Sequence, residues 1–259
     1  MVTRIGTANA DFLTGSAQGD TLVGQGGNDR LAPGAGLDLV AGGTGLDFVD
    51  YGASDAAVRI DLAATIGDGG DWVLAQGGHA QGDILASIEA VIGSSFADDL
   101  HGNDMGNTFY GGGRGDDLRG RGGDDYLDGG NGADALRGGS GGDGLHGGAG
   151  IDQCWGGAGG DVFSFASALD SGVGAGNRDV VADWDGADRL SFRGLVDEVT
   201  GISLGRFVGK AAFDGDNQVR FQHGDGTTVV QVNLDEDGQA ELEVLLKGVH
   251  QLDAADIIF

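Results

Sequence analysis

The sequence predicts an all-β repeat fold built from short stacked strands. Three observations carry this prediction: an aspartate that recurs every nine residues, an apolar residue two positions after it, and 56 glycines among 259 residues. Three residues around the apolar position suffice for a short strand, and glycine permits the tight turns between strands. Collagen is excluded because proline occurs once. A helical bundle is disfavoured because glycine destabilises helices.

The repeat unit reads G-G-x-G-x-D-x-U-x, in which U is apolar, and it occurs in two arrays. In the first array the aspartates are Asp11, Asp20, Asp29, Asp38 and Asp47. In the second array the same position holds Asp98, Asn107, Asp116, Asp125, Asp134, Asp143, Asp152 and Asp161. The apolar positions predict one buried ladder of side chains: Leu13, Leu22, Leu31, Val40, Val49, Leu100, Phe109, Leu118, Leu127, Leu136, Leu145, Cys154 and Phe163.

Stacking of these units predicts a metal site. Aspartates of successive turns would lie about 4.8 Å apart, which is the spacing of neighbouring strands, and like charges at that distance repel. A hard cation held by the carboxylates and by turn carbonyls relieves the repulsion. About six to eight oxygen ligands at flexible distances are typical of calcium, whereas magnesium retains water. The predicted ligands are the repeat aspartates Asp11, Asp20, Asp29, Asp38, Asp47, Asp98, Asp116, Asp125, Asp134, Asp143, Asp152 and Asp161.

The nonapeptide resembles that of the RTX (repeats-in-toxin) hemolysin-type calcium-binding proteins. The resemblance implies a right-handed parallel β-roll in which two nonapeptides form one coil and calcium (Ca²⁺) lies between turns 18 residues apart in sequence. Applied to this sequence, it implies nine candidate pairs: Asp11–Asp29, Asp20–Asp38, Asp29–Asp47, Asp98–Asp116, Asn107–Asp125, Asp116–Asp134, Asp125–Asp143, Asp134–Asp152 and Asp143–Asp161.

The remaining segments predict a linker and a cap. Val58, Ile60 and Leu62 alternate as in a half-buried strand, and no site chemistry is expected in that segment. After Phe163, strand-like runs at 229–234 and 242–246 are similar to the C-terminal domain of the serralysin metalloproteases. That resemblance implies a β domain that caps the roll and carries a type I secretion signal, which Asp256-Ile257-Ile258-Phe259 resembles. The predicted organisation is a first array at 1–50, an irregular insert at 51–92, a second array at 93–164 and a cap at 165–259.

No catalytic set is recognisable in the sequence. The HExxH zinc motif of the serralysins is absent, since the five histidines include no pair spaced four residues apart. Residues 138–142 match the GxSxG nucleophile pattern, but they lie inside the repeat with no helix after them. Cys154 occupies an apolar ladder position, which predicts a buried thiol rather than a nucleophile. We therefore expect that the chain is not an enzyme.

The net charge and the absence of two segment types from the sequence indicate which partners and location to expect. A net charge of −27 disfavours nucleic acid as a partner, and the sequence shows neither a conventional signal peptide nor a membrane-spanning stretch. We expect a secreted, extracellular, non-catalytic protein that folds on calcium after type I export. Its expected partners are calcium ions and the type I secretion apparatus. A role in adhesion or in a matrix, on extracellular polysaccharide or a cell surface, is left open. The alternative is an accessory RTX module of an extracellular protease, lipase or alginate-modifying or other polysaccharide-modifying enzyme.

Overall fold

The computed structural model describes residues 1–65, 72–195, 206–215, 217–235 and 237–259. Two 3-10 helices occur there, Gly78–Ala80 and Ala254–Asp256, and no described helix is long and apolar enough to cross a membrane. The strands are β1 Thr3–Ile5, β2 Phe12–Ser16, β3 Thr21–Gly26, β4 Arg30–Gly34, β5 Leu39–Thr44, β6 Phe48–Asp50, β7 Arg59–Asp61, β8 Val73–Leu74, β9 Ile84–Ala86, β10 Ala90–Ile92, β11 Asp99–His101, β12 Thr108–Gly113, β13 Asp117–Gly122, β14 Tyr126–Gly132, β15 Ala135–Ser140, β16 Gly144–Gly150, β17 Gln153–Ala158, β18 Val162–Ser164, β19 Asp179–Val181, β20 Arg189–Ser191, β21 Arg206–Gly209, β22 Gln218–Gly224, β23 Thr227–Asn233, β24 Leu242–Lys247 and β25 Ile257–Ile258.

These strands form three sheets. Sheet 1 has the order β1-β3-β5-β9-β8, sheet 2 the order β2-β4-β6-β10-β12-β14-β16-β18-β20-β25, and sheet 3 the order β21-β22-β23-β24-β19-β17-β15-β13-β11-β7. Within the arrays each strand pairs in parallel with the next strand but one, so that Leu118 pairs with Leu136 and Leu127 with Leu145. One coil therefore contains two nonapeptides, and the predicted all-β parallel β-roll is confirmed.

The apolar position of each unit faces the interior between the sheets. From Leu22 to Phe163 the predicted ladder residues are buried, and nine of them are fully inaccessible: Leu22, Leu31, Val40, Val49, Leu100, Phe109, Leu118, Leu127 and Leu136. Cys154 is also buried, at 5 % exposure, and burial raises the pKa of its thiol. Burying a side chain of leucine size contributes roughly 1.5–3 kcal/mol. The ladder is therefore the hydrophobic core of the roll.

The insert continues the roll rather than interrupting it. In sheet 2, β10 pairs with β6 on one side and with β12 on the other. On the opposite side, sheet 1 ends with β9 and β8, and sheet 3 begins at β7. The strand predicted around Ile60 is β7, and Val58, Ile60 and Leu62 are all buried. Sheet 2 thus spans both arrays, while the sheet facing it changes at the insert.

The tail extends sheets 2 and 3. β19 and β20 add parallel strands to β17 and β18, and β22, β23 and β24 then form an antiparallel meander that joins sheet 3. The two strand-like runs predicted from the sequence are β23 and β24. Glu236, which lies between them in sequence, is outside the described residues. The final apolar residues form β25, in which Ile257 pairs with Leu190 at the edge of sheet 2.

Candidate metal centre

The repeat aspartates form two files along the roll, because each is the residue immediately before a short strand whose register is set by the repeat. One file follows the turns into sheet 2, and the other follows the turns into sheets 1 and 3. All of the predicted residues are at most 3 % exposed except Asp11, which is half-buried. The sheet 2 file holds Asp11, Asp29, Asp47, Asn107, Asp125, Asp143 and Asp161. The opposite file holds Asp20, Asp38, Asp98, Asp116, Asp134 and Asp152.

Within each array, hydrogen bonds link successive members of each file. The backbone N–H of one residue donates to Oδ1 of the aspartate 18 positions later, for example from Asp116 to Asp134 at 2.7 Å. The structure brings together all nine pairs that the period suggested, at 2.6–2.9 Å. One carboxylate oxygen of each later residue is therefore used to hold neighbouring coils in register.

The other carboxylate oxygen is buried and has no hydrogen-bond partner among the described residues in nine aspartates. We call these Oδ2 atoms the free oxygens; they belong to Asp29, Asp38, Asp47, Asp116, Asp125, Asp134, Asp143, Asp152 and Asp161. Buried polar atoms are nearly always paired, and leaving a charged one unpaired costs several kcal/mol. Nine such atoms in two regular files indicate a common partner that is a cation.

In eight of the nine units, the glycine five residues before the aspartate explains the shape of the free-oxygen site; in the unit of Asp38 that position is Pro33. A Cβ built on Gly111 would overlap Oδ2 of Asp116 and would lie 2.7 Å from the carbonyl oxygen of Gly129 in the next coil. A Cβ on Gly129 would similarly overlap Oδ2 of Asp134 and lie 2.6 Å from the carbonyl oxygen of Gly147. Carboxylate and carbonyl oxygens thus converge on a space that any side chain would fill. An all-oxygen donor set of this kind suits calcium better than a transition metal.

A family comparison identifies the domain type. The family model described as Peptidase M10 serralysin C terminal matches residues 19–259. The chain belongs to this family. Serralysin C-terminal domains bind calcium and belong to secreted, extracellular proteins.

Several solved structures are similar to this serralysin C-terminal domain. The AlgE6R2 subunit of a mannuronan C5-epimerase from Azotobacter vinelandii is 30% identical, with 67% of this chain and 94% of that chain covered and a TM-score of 0.40. The AlgE6R3 subunit of the same epimerase is 28% identical over 64% and 80% of the two chains, with a TM-score of 0.41. The extracellular lipase LipA from Serratia marcescens is 18% identical over 99% of this chain and 40% of that chain, with a TM-score of 0.27. No curated protein matches the chain.

Three predicted ligands of this serralysin C-terminal domain, Asp11, Asp20 and Asp98, lack a free oxygen, and so does the repeat position held by Asn107. At Asp11 the backbone N–H of Thr7 donates to Oδ2 at 2.6 Å, and at Asp20 the N–H and hydroxyl of Ser16 do so at 2.6 and 2.7 Å. At Asp98 the donor is the N–H of Ser94, and at Asn107 it is the N–H of Asn103 to Oδ1. In these units the donor lies four residues before the repeat position, so the carboxylate or amide oxygen is hydrogen-bonded within its own turn.

Four further acidic residues extend the files, and they were not among the predicted ligands although they lie in phase with the arrays: Asp83 lies 36 residues after Asp47, Glu89 lies nine before Asp98, and Asp179 and Asp188 lie 18 and 27 after Asp161. The backbone N–H of Asp38 donates to Asp83 and that of Asp47 to Glu89, while Asp152 and Asp161 donate likewise to Asp179 and Asp188. Asp83 and Glu89 lie in the insert, where no site chemistry was expected, and neither has a free oxygen. Each of the four stands two residues before a buried apolar side chain: Leu85, Val91, Val181 and Leu190. That local pattern is the signal that could have found them.

Burial and neighbouring carboxylates raise the pKa values along the files. Burial, followed by repulsion from nearby aspartates, raises the pKa of Asp116 to about 8 and that of Asp152 to about 7. The same causes raise the pKa of Asp125 to about 7 and that of Asp161 to about 6. Near neutral pH and without a cation, the raised pKa of Asp116 would keep that carboxyl protonated, and those of Asp125 and Asp152 would keep them protonated in part; a divalent cation would displace those protons.

Proposed function

We propose that this chain is a non-catalytic calcium-binding β-roll domain that folds on calcium after export from the cell. The nine free oxygens carry the proposal, because each is a buried carboxylate oxygen without a hydrogen-bond partner among the described residues. The proposed ligands are the aspartates that bear them. Asp11, Asp20 and Asp98 are proposed to act in coil register instead, because their second oxygen is already hydrogen-bonded.

Calcium would act by binding the folded state and not the unfolded chain. A site assembled from two coils does not exist before the coils stack, so the free energy of binding becomes free energy of folding. Extracellular calcium modules typically have dissociation constants of about 10⁻⁴–10⁻³ M. The chain would therefore stay unfolded where calcium is scarce and fold where it is abundant.

Isothermal titration with calcium tests the number of sites. We expect binding of several ions, up to nine, coupled to a large heat of folding, and we expect magnesium at the same concentration to give no folding heat. The absence of calcium binding, or equal effects of calcium and magnesium, would refute the proposal.

We propose that the C-terminus serves type I export. The supporting observation is that Asp256 ends a 3-10 helix whose N-cap is Asp253, so that β25 and Phe259 lie at the edge of sheet 2. In a reconstituted type I exporter, a chain with Ile257 and Ile258 changed to serine should remain inside the cell. A matched change at Leu169, which is 79 % exposed in a loop, should be exported normally. Equal export of both variants would refute the assignment.

A second candidate function is an accessory module that binds extracellular polysaccharide, and a surface feature favours it. On the outer face of sheet 2 the rings of Phe48 and Tyr110 lie 6.4 Å apart, and those of Tyr110 and Tyr126 lie 5.9 Å apart. With Arg30 and Ile92, Phe48 and Tyr110 line an open groove of about 440 Å³. The rings form a row along the roll, with Tyr110 and Tyr126 on neighbouring strands and β10 between Phe48 and Tyr110. Such a row offers apolar faces, and the tyrosines add polar tips.

Glycan arrays on the calcium-loaded protein test this candidate. Tyr110→Ala should lose any binding that the unmodified chain shows, whereas Trp155→Ala on sheet 3 should keep it. Binding that survives Tyr110→Ala, or no glycan binding at all, would exclude the aromatic row as a polysaccharide site.

A further inference from the structure

Outside the aspartate files, a cluster of three potential metal ligands lies on the outer face of sheet 3. Asp99 and His101 flank the buried Leu100 on β11, so both point away from the ladder. Asp117 on β13 pairs in register with Asp99. One ligand atom from each of the three side chains can be chosen so that all lie within 4.8 Å of one another. The cluster therefore joins two neighbouring coils.

Two atoms in this cluster are buried without a hydrogen bond. His101 is only 9 % exposed, and its Nε2 has no hydrogen-bond partner in the described part of the chain, nor does Oδ1 of Asp99. These two atoms lie 2.6 Å apart, but they are not aligned as donor and acceptor. At that distance a protonated imidazole forms an ion pair with Asp99; when the imidazole is neutral, a cation can take the place of the proton between the two atoms.

An aspartate and an arginine lie behind the ring of His101. Oδ2 of Asp61 lies 3.8 Å from Nδ1 of His101, on the side of the ring opposite Nε2. Arg121 holds Asp61 through two hydrogen bonds of 2.7 and 2.8 Å. At 3.8 Å this contact is longer than a hydrogen bond, but it places a carboxylate behind the ring, as is usual behind a metal-bound histidine.

The neighbouring arginines act on the outer oxygens of the cluster. Arg59 lies 3.2 Å from Oδ2 of Asp99, leaving Oδ1 of that residue facing His101. Arg119 and Arg137 contact Asp117 at 2.6 and 2.8 Å. These contacts fix the carboxylates in position, and they lower the total negative charge that would otherwise attract calcium.

We propose that Asp99, His101 and Asp117 bind one divalent transition-metal ion of the zinc class. Zinc takes imidazole nitrogen and carboxylate oxygen at about 2.0–2.2 Å, whereas calcium takes oxygen ligands. The site differs from the proposed calcium sites in position and in donor chemistry. A bound ion would link β11 to β13 where sheet 3 begins beside the insert.

Cobalt(II) and zinc(II) added to calcium-saturated protein test this proposal, because excess calcium occupies the carboxylate files. We expect one equivalent of cobalt to give visible d–d absorption. In the unmodified chain, zinc should shift the Nε2 resonance of His101 in a nitrogen-15 spectrum. His101→Gln should weaken binding by about 100-fold or more, and Asp117→Asn should weaken it as well.

His79→Gln is the matched control, since His79 is a partly buried histidine beside a single aspartate, Asp55. It should leave cobalt binding unchanged. Failure of the calcium-loaded chain to bind either ion would overturn the proposal, as would binding that leaves the His101 resonance unmoved. The resonance is read in the unmodified chain, so misfolding of a variant does not affect this conclusion. The proposed calcium function is tested separately by folding.

Discussion

The free oxygen of each proposed calcium ligand depends on the backbone four residues earlier. In all nine units with a free oxygen, the residue at that position has a positive φ: Gln25, Gly34, Gly43, Gly112, Arg121, Gly130, Gly139, Gly148 and Gly157. In the other four units it is Thr7, Ser16, Ser94 or Asn103, and its N–H donates to the acidic position. A left-handed residue therefore distinguishes a carboxylate available to a cation from one that closes its own turn.

Asp134→Asn tests this distinction, with Asp98→Asn as its control. Both residues are buried in the same file, but only Asp134 has a free oxygen. Loss of a charged ligand worth about 1.5–3 kcal/mol should weaken the affected site by roughly 10- to 100-fold. Calorimetry should show fewer bound calcium ions for Asp134→Asn and an unchanged number for Asp98→Asn. The same loss in both variants would contradict the assignment.

Gly129→Ala tests the cradle itself. The added Cβ would overlap Oδ2 of Asp134 and the neighbouring carbonyl, and overpacking of this kind costs typically about 1–3 kcal/mol. We expect a higher calcium midpoint for folding by circular dichroism. Gly186→Ala, where a Cβ meets nothing within 4 Å, should leave the midpoint unchanged. If both variants fold at the same calcium concentration, the cradle is not a metal site.

At the scale of strands, the ladder and the files are two consequences of one register. Each array strand places its apolar residue inward and its preceding aspartate at the turn, so parallel pairing aligns both sets at once. β10 preserves this alignment across the insert in sheet 2, and β19 and β20 preserve it into the tail. The coil, rather than the single nonapeptide, is therefore the unit of stability.

Leu127→Ala tests the ladder contribution. Leu127 is fully buried, and removing a buried leucine side chain costs about 2–5 kcal/mol. Thermal unfolding in saturating calcium should show a clearly lower midpoint, with little change in the number of ions bound. Leu169→Ala, at a side chain that is 79 % exposed, should leave the midpoint unchanged. A similar midpoint for Leu127→Ala and the unmodified chain would contradict the proposed core.

The sequence predicted this register wherever the period was unbroken. The RTX resemblance supplied the two-unit coil, and the unbroken period then implied the nine pairs. Asp83, Glu89, Asp179 and Asp188 lie in phase with the arrays but were missed, because their hydrogen-bonded partners lie 45, 42, 27 and 27 residues earlier rather than 18. The positive φ at Gln25 and Arg121 also escaped, since neither is glycine and the coils impose that conformation.

At the scale of the whole molecule, the charge of −27 is concentrated in part in the two buried files. Parallel stacking brings these carboxylates to the spacing of neighbouring strands, where they repel one another. Protons or divalent cations can neutralise them, and the two should compete. The acidic composition should therefore make folding depend on the pH and on the calcium concentration.

This competition predicts opposite effects of pH with and without calcium. The folded-state pKa values of Asp116 and Asp179 are raised to about 8, chiefly by burial. Without calcium, the folded state therefore binds more protons than the unfolded chain. The stability from this protonation is fully present below about pH 4 and is lost as the pH rises through about 8. Circular dichroism in EDTA should show more folded protein at about pH 5.5 than at about pH 8.

With calcium present, the ion must displace these protons, so the calcium midpoint should fall as the pH rises across the same window. A calcium midpoint that does not depend on pH would show that the buried carboxylates take no part in binding.

Far-UV circular dichroism at neutral pH, first in EDTA and then in millimolar calcium, tests the central claim most directly. The account predicts a spectrum of a largely unfolded chain in EDTA and a cooperative gain of β signal on adding calcium, with no such gain on adding magnesium. A fully formed β spectrum in EDTA, unchanged by calcium, would contradict it.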